Sequence, residues 1–241
     1  MTEDRGAFTA ATGRQLESAG PDKPRYRRYQ FDLISPHCGR TILEVGAGLG
    51  EFAEQFRDVD RLILTDVDPE AVAVMGRRFA GRPEVQTRTL ALGVAPELDR
   101  PVESVVAINV LEHIDDDAGA LRSLATAVEP GGSIVLWVPG YQQLYGEFDR
   151  KVGHVRRYTP RTLASAVQRA GLDVELVKPV NLLGGIAWWL TVRRGGSTSP
   201  DSKLVSIFDR FVVPVTRALE RVVRPPFGQS VLCVARVRAR A

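Results

Sequence analysis

The sequence is poor in the residues that build cross-links and metal sites. Its 241 residues include two cysteines, Cys38 and Cys233, and three histidines, His37, His113 and His154. Two such thiols support no disulfide framework, and a chain of this length buries roughly 70–75% of its unfolded surface without one. The histidines are widely separated and have no cysteine neighbours at ligand spacing, so no metal site is expected. Long apolar runs are also missing. The longest, around Leu182 to Val192, contains two glycines and is too short to span a bilayer. The opening Met-Thr-Glu-Asp-Arg is acidic and lacks the apolar core of a signal peptide, so a soluble cytoplasmic protein is the expectation. Net charge is only +3, with a pI of about 9.1, and names no partner; a nucleic-acid binder needs its basic residues clustered on one face.

What is present is a glycine turn after an apolar strand. Thr41-Ile42-Leu43-Glu44-Val45 runs into Gly46-Ala47-Gly48-Leu49-Gly50, with a helix expected to begin near Glu51 and Phe52. Glycines at 46, 48 and 50 let the backbone turn tightly and approach a ligand at the carboxyl end of a first strand, where open α/β sheets bind. A dinucleotide is disfavoured, because position 51 is Glu51 rather than another glycine and Glu44 would repel a pyrophosphate. A cationic ligand would gain from Glu44. The acidic-x-Gly-x-Gly-x-Gly pattern of Glu44, Gly46, Gly48 and Gly50 resembles motif I of class I S-adenosylmethionine-dependent methyltransferases, whose ligand carries an ammonium and a sulfonium but no phosphate.

Along the chain, residues 1–24 read as a flexible segment and 25–241 as one domain. Tyr26, Tyr29 and Leu33 share a helical face, where Tyr26 or Tyr29 walls the transferred methyl or packs on the sheet. Asp66 closes a second strand about 20 residues beyond the glycine loop, placed for a ribose diol, with Val67 against adenine; Asp68 and Pro69 read as a helix cap. A third strand spans Glu84 to Thr89. The aspartate that such enzymes often carry after it falls at Ala91, which leaves the adenine amino group to backbone near Leu92 or to water.

Val105 to Ile114 reads as a fourth strand and its exit, and Asn109-Val110-Leu111-Glu112-His113-Ile114 resembles a segment of small-molecule and lipid methyltransferases. The Asp/Asn-Pro-Pro-aromatic tetrapeptide of many nucleic-acid amino-methyltransferases is lacking, so nucleic acid is not an expected substrate. A helix to Val128, stopped by Pro130-Gly131-Gly132, precedes a fifth strand from Ser133 to Pro139. The aromatic, basic stretch from Tyr141 to Tyr158 has neither helical nor strand period and follows a strand tip on the ligand side, as functional loops do. After a Thr159-Pro160 helix start come a strand from Asp173 to Val180, a helical insertion at about 182–228, and a last strand from Ser230 to Val237. In the insertion Leu204, Ile207, Phe208, Phe211, Val215 and Leu219 form an apolar stripe, expected in the core or at a homodimer contact, with a kink at Pro214. Trp188 and Trp189 beside Arg193-Arg194 leave peripheral membrane contact as the lesser alternative.

From about Tyr26 to Val237 the chain looks like a bacterial branch of the type 11/12 methyltransferases, some of which sit among genes for glycan, lipid or natural-product synthesis. That resemblance implies an α/β, doubly wound, Rossmann-like seven-stranded sheet, mostly parallel, with an antiparallel last strand. It implies methyl transfer from S-adenosyl-L-methionine to oxygen or nitrogen of a small-molecule acceptor. Tyr26, Glu44, Gly46, Gly48, Asp66, Val67, Leu92 and Asn109 are the expected cofactor residues. His154, then His113, is the expected base; Tyr141, Tyr145, Arg156 and Arg157 are expected at the acceptor, the arginines gripping an acidic one. The alternatives are an S-adenosylmethionine-binding regulator or a methyltransferase-like enzyme of another reaction. A nicotinamide oxidoreductase is disfavoured by Glu44 and Glu51.

Overall fold

The computed structural model describes residues 22–91, 93–190 and 202–239. Seven strands, β1 (Thr41–Val45), β2 (Arg61–Asp66), β3 (Val85–Thr89), β4 (Val102–Ile108), β5 (Val128–Pro139), β6 (Asp173–Val180) and β7 (Ser230–Arg236), form one sheet in the order β3-β2-β1-β4-β5-β7-β6. β1 to β5 pair in parallel, and β7 lies antiparallel between β5 and β6. The inner strands β1, β2, β4 and β7 are buried along nearly all their length because both faces of the sheet are covered, so successive residues enter different cores. Leu43, Ile63 and Val105 pack on one face with α3 (Asp117–Ala125) and α5 (Pro160–Arg169). Ile42, Leu62 and Val106 pack on the other with α1 (Pro24–Ile34) and α2 (Pro69–Arg78). The strand order reverses between β1 and β4, which opens a crevice at their carboxyl ends.

Two helix starts follow from their caps as read. Asp68 accepts from the Glu70 amide at 2.9 Å ahead of Pro69, and the Thr159 hydroxyl accepts from the Thr162 amide at 3.2 Å ahead of Pro160. Other expectations are corrected. The helix expected after the glycine loop is a single 3-10 turn, Ala53–Gln55, because Phe56 turns to extended backbone and packs its ring 5.1 Å from Phe31. The helix expected to reach Val128 ends at Ala125, and Pro130-Gly131-Gly132 lies within β5, where Gly131 has φ +82°. The stretch from Tyr141 to Tyr158 is not open loop: it holds a 3-10 turn at Gln142–Leu144 and α4 (Glu147–Val152), too short to show a period.

The insertion contributes α6 (Leu182–Trp188), α7 (Ser202–Ile207) and α8 (Val213–Glu220), with a π-helical turn at Phe208–Val212 just before Pro214. A proline lacks the amide that would continue the ladder, so the irregularity falls where the kink was expected. Of the apolar stripe, Leu204, Ile207, Phe211 and Val215 are more than half exposed, so the stripe is not core. Carboxylates on the opposite side tie the insertion to α1. Asp209 accepts from the Arg25 and Tyr26 amides, and Glu220 accepts from the Tyr29 hydroxyl and the Leu182 amide. No helix among the described residues is long and apolar enough to cross a membrane.

Gly228 sits where the chain returns against β6, and a Cβ there would lie 2.0 Å from the Val180 carbonyl oxygen. Gly228→Ala is expected to cost about 1–3 kcal/mol and several degrees of Tm, at roughly 2–4 °C per kcal/mol. Gly81→Ala, whose Cβ meets nothing within 4 Å, should leave Tm in place. Calorimetric scans giving both variants the same Tm would refute this close-packing account.

Candidate functional site

A cavity of about 400 Å³ occupies the crevice, walled by the glycine loop, the tips of β2 and β4, and α1. Six of the eight expected cofactor residues line it: Tyr26, Glu44, Gly46, Gly48, Asp66 and Asn109. Val67 follows the β2 tip but is not part of the wall, and Leu92 lies outside the described residues.

The loop holds its shape through β2. The Ala47 amide donates to the Thr65 carbonyl at 2.9 Å, and the Gly48 amide donates to Asp66 Oδ2 at 3.0 Å. Asp66 Oδ1 accepts from the Asp68 amide at 3.0 Å, so this carboxylate pins the loop. Gly48 has φ +57°, and a Cβ on it would meet no protein atom within 4 Å, only the cavity. The backbone therefore leaves room for a ligand to approach it closely.

Glu44 lies under this loop, 3% exposed, and its Oε2 has no hydrogen-bond partner among the described residues. Burial pushes its pKa from 4.5 up to about 8. The folded state then holds a proton that the unfolded state has released, so this group lowers ligand-free stability progressively as pH rises from about 4.5 to 8. A cation beside it would reverse that cost, which fits a ligand with an ammonium group. Tyr26 both lines the cavity and meets Trp137 edge-on at 6.3 Å; Tyr29 is tied to the insertion instead. Sequence reasoning missed Arg27 and Gln30, which also line the cavity. The signal for Gln30 was helical spacing, since it lies four residues beyond Tyr26 on the same face.

A second constellation adjoins the first. β4 exits through Asn109, at φ +52°, into a 3-10 turn at Leu111–His113. The backbone after α4 runs alongside that turn: the Val155 amide donates to the Glu112 carbonyl at 2.9 Å. This brings the His154 ring within 4.8 Å of the His113 ring, centroid to centroid, at 73° between planes. His154 Nδ1 lies 2.8 Å from Asp149 Oδ1, and Asp149 also accepts from Arg157 Nε at 2.8 Å and the Gly146 amide at 2.8 Å. Burial pushes the Asp149 carboxyl up, but the bonds from His154 and Arg157 outweigh it and hold the pKa below the usual carboxylate range. His113 Nδ1 lies 3.2 Å from the Gly153 carbonyl. A carbonyl and a carboxylate can only accept, so in each neutral ring the proton sits on Nδ1 and the lone pair on Nε2.

Several expectations are corrected here. His113, not His154, lines the cavity; His154 is 6% exposed and sits behind it. Arg157 is buried against Asp149 and lies over the Trp188 ring at 5.2 Å, while Arg156 binds Asp117 at 3.1 Å and the Asp115 carbonyl at 2.8 Å. Both guanidinium groups are engaged by carboxylates of this chain, Arg157 in the interior and Arg156 at a partly exposed position. The Tyr141 hydroxyl donates to the Pro226 carbonyl at 3.1 Å and the Tyr145 hydroxyl to the His154 carbonyl at 2.8 Å, so these rings brace the segment. Trp188 points inward, its Nε1 donating to the Leu144 carbonyl at 3.2 Å, whereas Trp189 is 41% exposed; Arg193 and Arg194 lie outside the described residues. Histidines distant in sequence are also not distant in space, since donor atoms of Glu112, His113 and His154 lie within 4.8 Å of one another.

Residues 13–177 match a family model described as a methyltransferase domain. A Mycolicibacterium smegmatis protein named "Probable S-adenosylmethionine-dependent methyltransferase" is 30% identical over 178 residues, covering 71% of this chain and 68% of its own length. Two further curated relatives are spanned over 61% and 47% of their lengths. A chain from the Haloferax volcanii complex of the Trm112 methyltransferase activator superposes with a TM-score of 0.67 at 16% identity, over 100% of this chain and 99% of that one. The N-methyltransferase NodS of Bradyrhizobium japonicum, solved with S-adenosylhomocysteine, gives 0.59 at 14% identity, over 95% and 98%. At such identities these two show the fold.

If Arg157 serves Asp149 rather than a substrate, Arg157→Ala leaves a buried carboxylate without its cation. That is expected to cost about 3–5 kcal/mol, or roughly 10 °C in Tm. A thermal melt unchanged within about 2 °C would return Arg157 to the list of substrate ligands.

Proposed function

Because this chain belongs to the S-adenosylmethionine-dependent methyltransferases, we propose that it methylates a hydroxyl group of a small-molecule acceptor. The carrying observation is that His113 is shared between the cofactor cavity and the Glu112–His154 cluster. A hydroxyl must lose its proton to become a nucleophile, whereas a neutral amine already has its lone pair, so an imidazole at the rim favours oxygen.

S-adenosylmethionine supplies an electrophilic methyl group on a sulfonium that leaves readily. Glu44 holds the amino end of the cofactor, Gly46 and Gly48 allow close backbone approach, and Asp66 accepts from the ribose diol. Tyr26 and Asn109 complete the walls, and Val67 and Leu92 are retained as contacts on the adenine side. His113 takes the acceptor proton on Nε2, which is buried in the ligand-free protein and has to be uncovered as the acceptor binds, with its ring held in that tautomer by the Gly153 carbonyl. The buried His154 and Glu112 stand behind it and limit water at the transfer point. The protein's main contribution is alignment, since the sulfonium needs little further activation.

Two measurements test this reading. S-adenosylhomocysteine titrated into the protein in buffers of different ionisation enthalpy should release a proton, because binding an ammonium requires Glu44 to ionise. Affinity should rise with pH between 6 and 7, by at most about tenfold per unit, and Glu44→Gln should abolish the release. Binding without proton release would detach Glu44 from the amino group; no binding at all would overturn the cofactor assignment. Across a panel of hydroxyl and amine acceptors, His113→Ala should keep S-adenosylhomocysteine affinity within about threefold while slowing transfer to hydroxyls by roughly 10²-fold. Binding with no methyl transfer to any acceptor would favour a regulator or another reaction, and equal activity of the variant would remove the base.

A further inference from the structure

We propose that Glu112, His113 and His154 form a buried binding site for a divalent transition cation of the zinc or cobalt kind, adjoining the cavity through His113. Two imidazoles and one carboxylate are a donor set suited to such ions rather than to magnesium or calcium, and three protein ligands leave positions for a further oxygen. The donor atoms already lie within 4.8 Å of one another, and His154 Nε2 is 3.8 Å from Glu112 Oε1. Donors about 2.0–2.2 Å from one ion stand roughly 3–4 Å apart, so side-chain movements of about an ångström would close the set.

The rings are presented as ligands usually are. His154 turns its Nδ1 to the Asp149 carboxylate at 2.8 Å, and His113 turns its Nδ1 to the Gly153 carbonyl at 3.2 Å. Carboxylate and carbonyl partners of this kind fix the tautomer, with the proton on Nδ1 and Nε2 as the basic nitrogen. The carboxylate behind His154 is itself held by Arg157 and the Gly146 amide, so the ring cannot swing freely. Burial points the same way. Glu112 is fully buried and His154 nearly so, and a dication among them would offset the cost of a carboxylate held out of water.

The function of the ion rests on the methyl-transfer reading above. An acceptor hydroxyl coordinated at the open position loses its proton to water more readily and stays bound as the alkoxide or phenolate that attacks the methyl carbon. His113 is then a ligand in the loaded enzyme rather than the base.

The test uses binding rather than turnover. Protein treated with EDTA and exchanged into metal-free buffer is titrated with ZnCl₂ by calorimetry and with CoCl₂ by visible absorption. One equivalent of zinc is expected, at least tenfold weaker in Glu112→Gln and in His113→Gln, with a cobalt band that both substitutions diminish. Glu112→Gln should keep its Tm and its S-adenosylhomocysteine affinity, which separates a lost ligand from a lost fold. No stoichiometric zinc in the native protein, or equal zinc affinity in both variants, overturns the site. Failure to bind S-adenosylhomocysteine would instead sink the methyl-transfer reading, whatever the zinc titration gives.

Discussion

The buried carboxylate of Asp149 is the constraint on which the segment beside the cavity depends. It is fully inaccessible and gathers the Gly146 amide, His154 Nδ1 and two nitrogens of Arg157. A lone carboxylate in that position would cost several kcal/mol, so the segment around it must fold inward to supply donors. That folding carries His154 to His113 and makes one wall serve both the cavity and the cluster behind it. The same carboxylate explains how a polar stretch between β5 and α5 becomes part of the interior. Charge-assisted bonds do there what apolar packing does under the sheet.

Much of the scaffold was legible in the residues. Strands covered on both faces must be apolar along most of their length, which marked β1, β2 and β4, and the partly exposed edge strand β6 also spans Asp173–Val180 as read. The glycine turn beside the cavity was legible because glycines at close spacing report a local requirement for tight backbone. What stayed hidden is long-range pairing. Arg157 shows its charge in the sequence but not its partner, so it read as a substrate ligand while the fold spends it on Asp149. His113 and His154 are 41 positions apart, and no periodicity connects them. The missing helix after the glycine loop has a similar origin, since the local pattern cannot show that Phe56 is drawn toward Phe31.

Backbone irregularity is concentrated on one edge of the sheet. Asn109, Tyr141 and Asn181 all have positive φ and lie just beyond β4, β5 and β6, on the edge that also carries the glycine loop. Each such conformation costs about 1–3 kcal/mol unless its surroundings hold it. Here they do: the Tyr141 amide donates to the Tyr158 carbonyl, and the Asn181 side chain accepts from the Gly184 amide. The opposite edge has no such non-glycine residue among those described. A framework that is regular where it packs and forced where it meets ligands matches the division of labour in open α/β sheets.

The placement of β7 bears on how the chain is born. β6 ends at Val180, yet its neighbour in the sheet, β7, begins at Ser230, fifty residues later. At about 5–20 residues per second, a ribosome takes roughly 3–10 s to make that stretch. During that interval β6 has no strand to pair with, and β5 presents a bare edge where β7 will insert. Unpaired strands of this kind are where nascent chains misassociate.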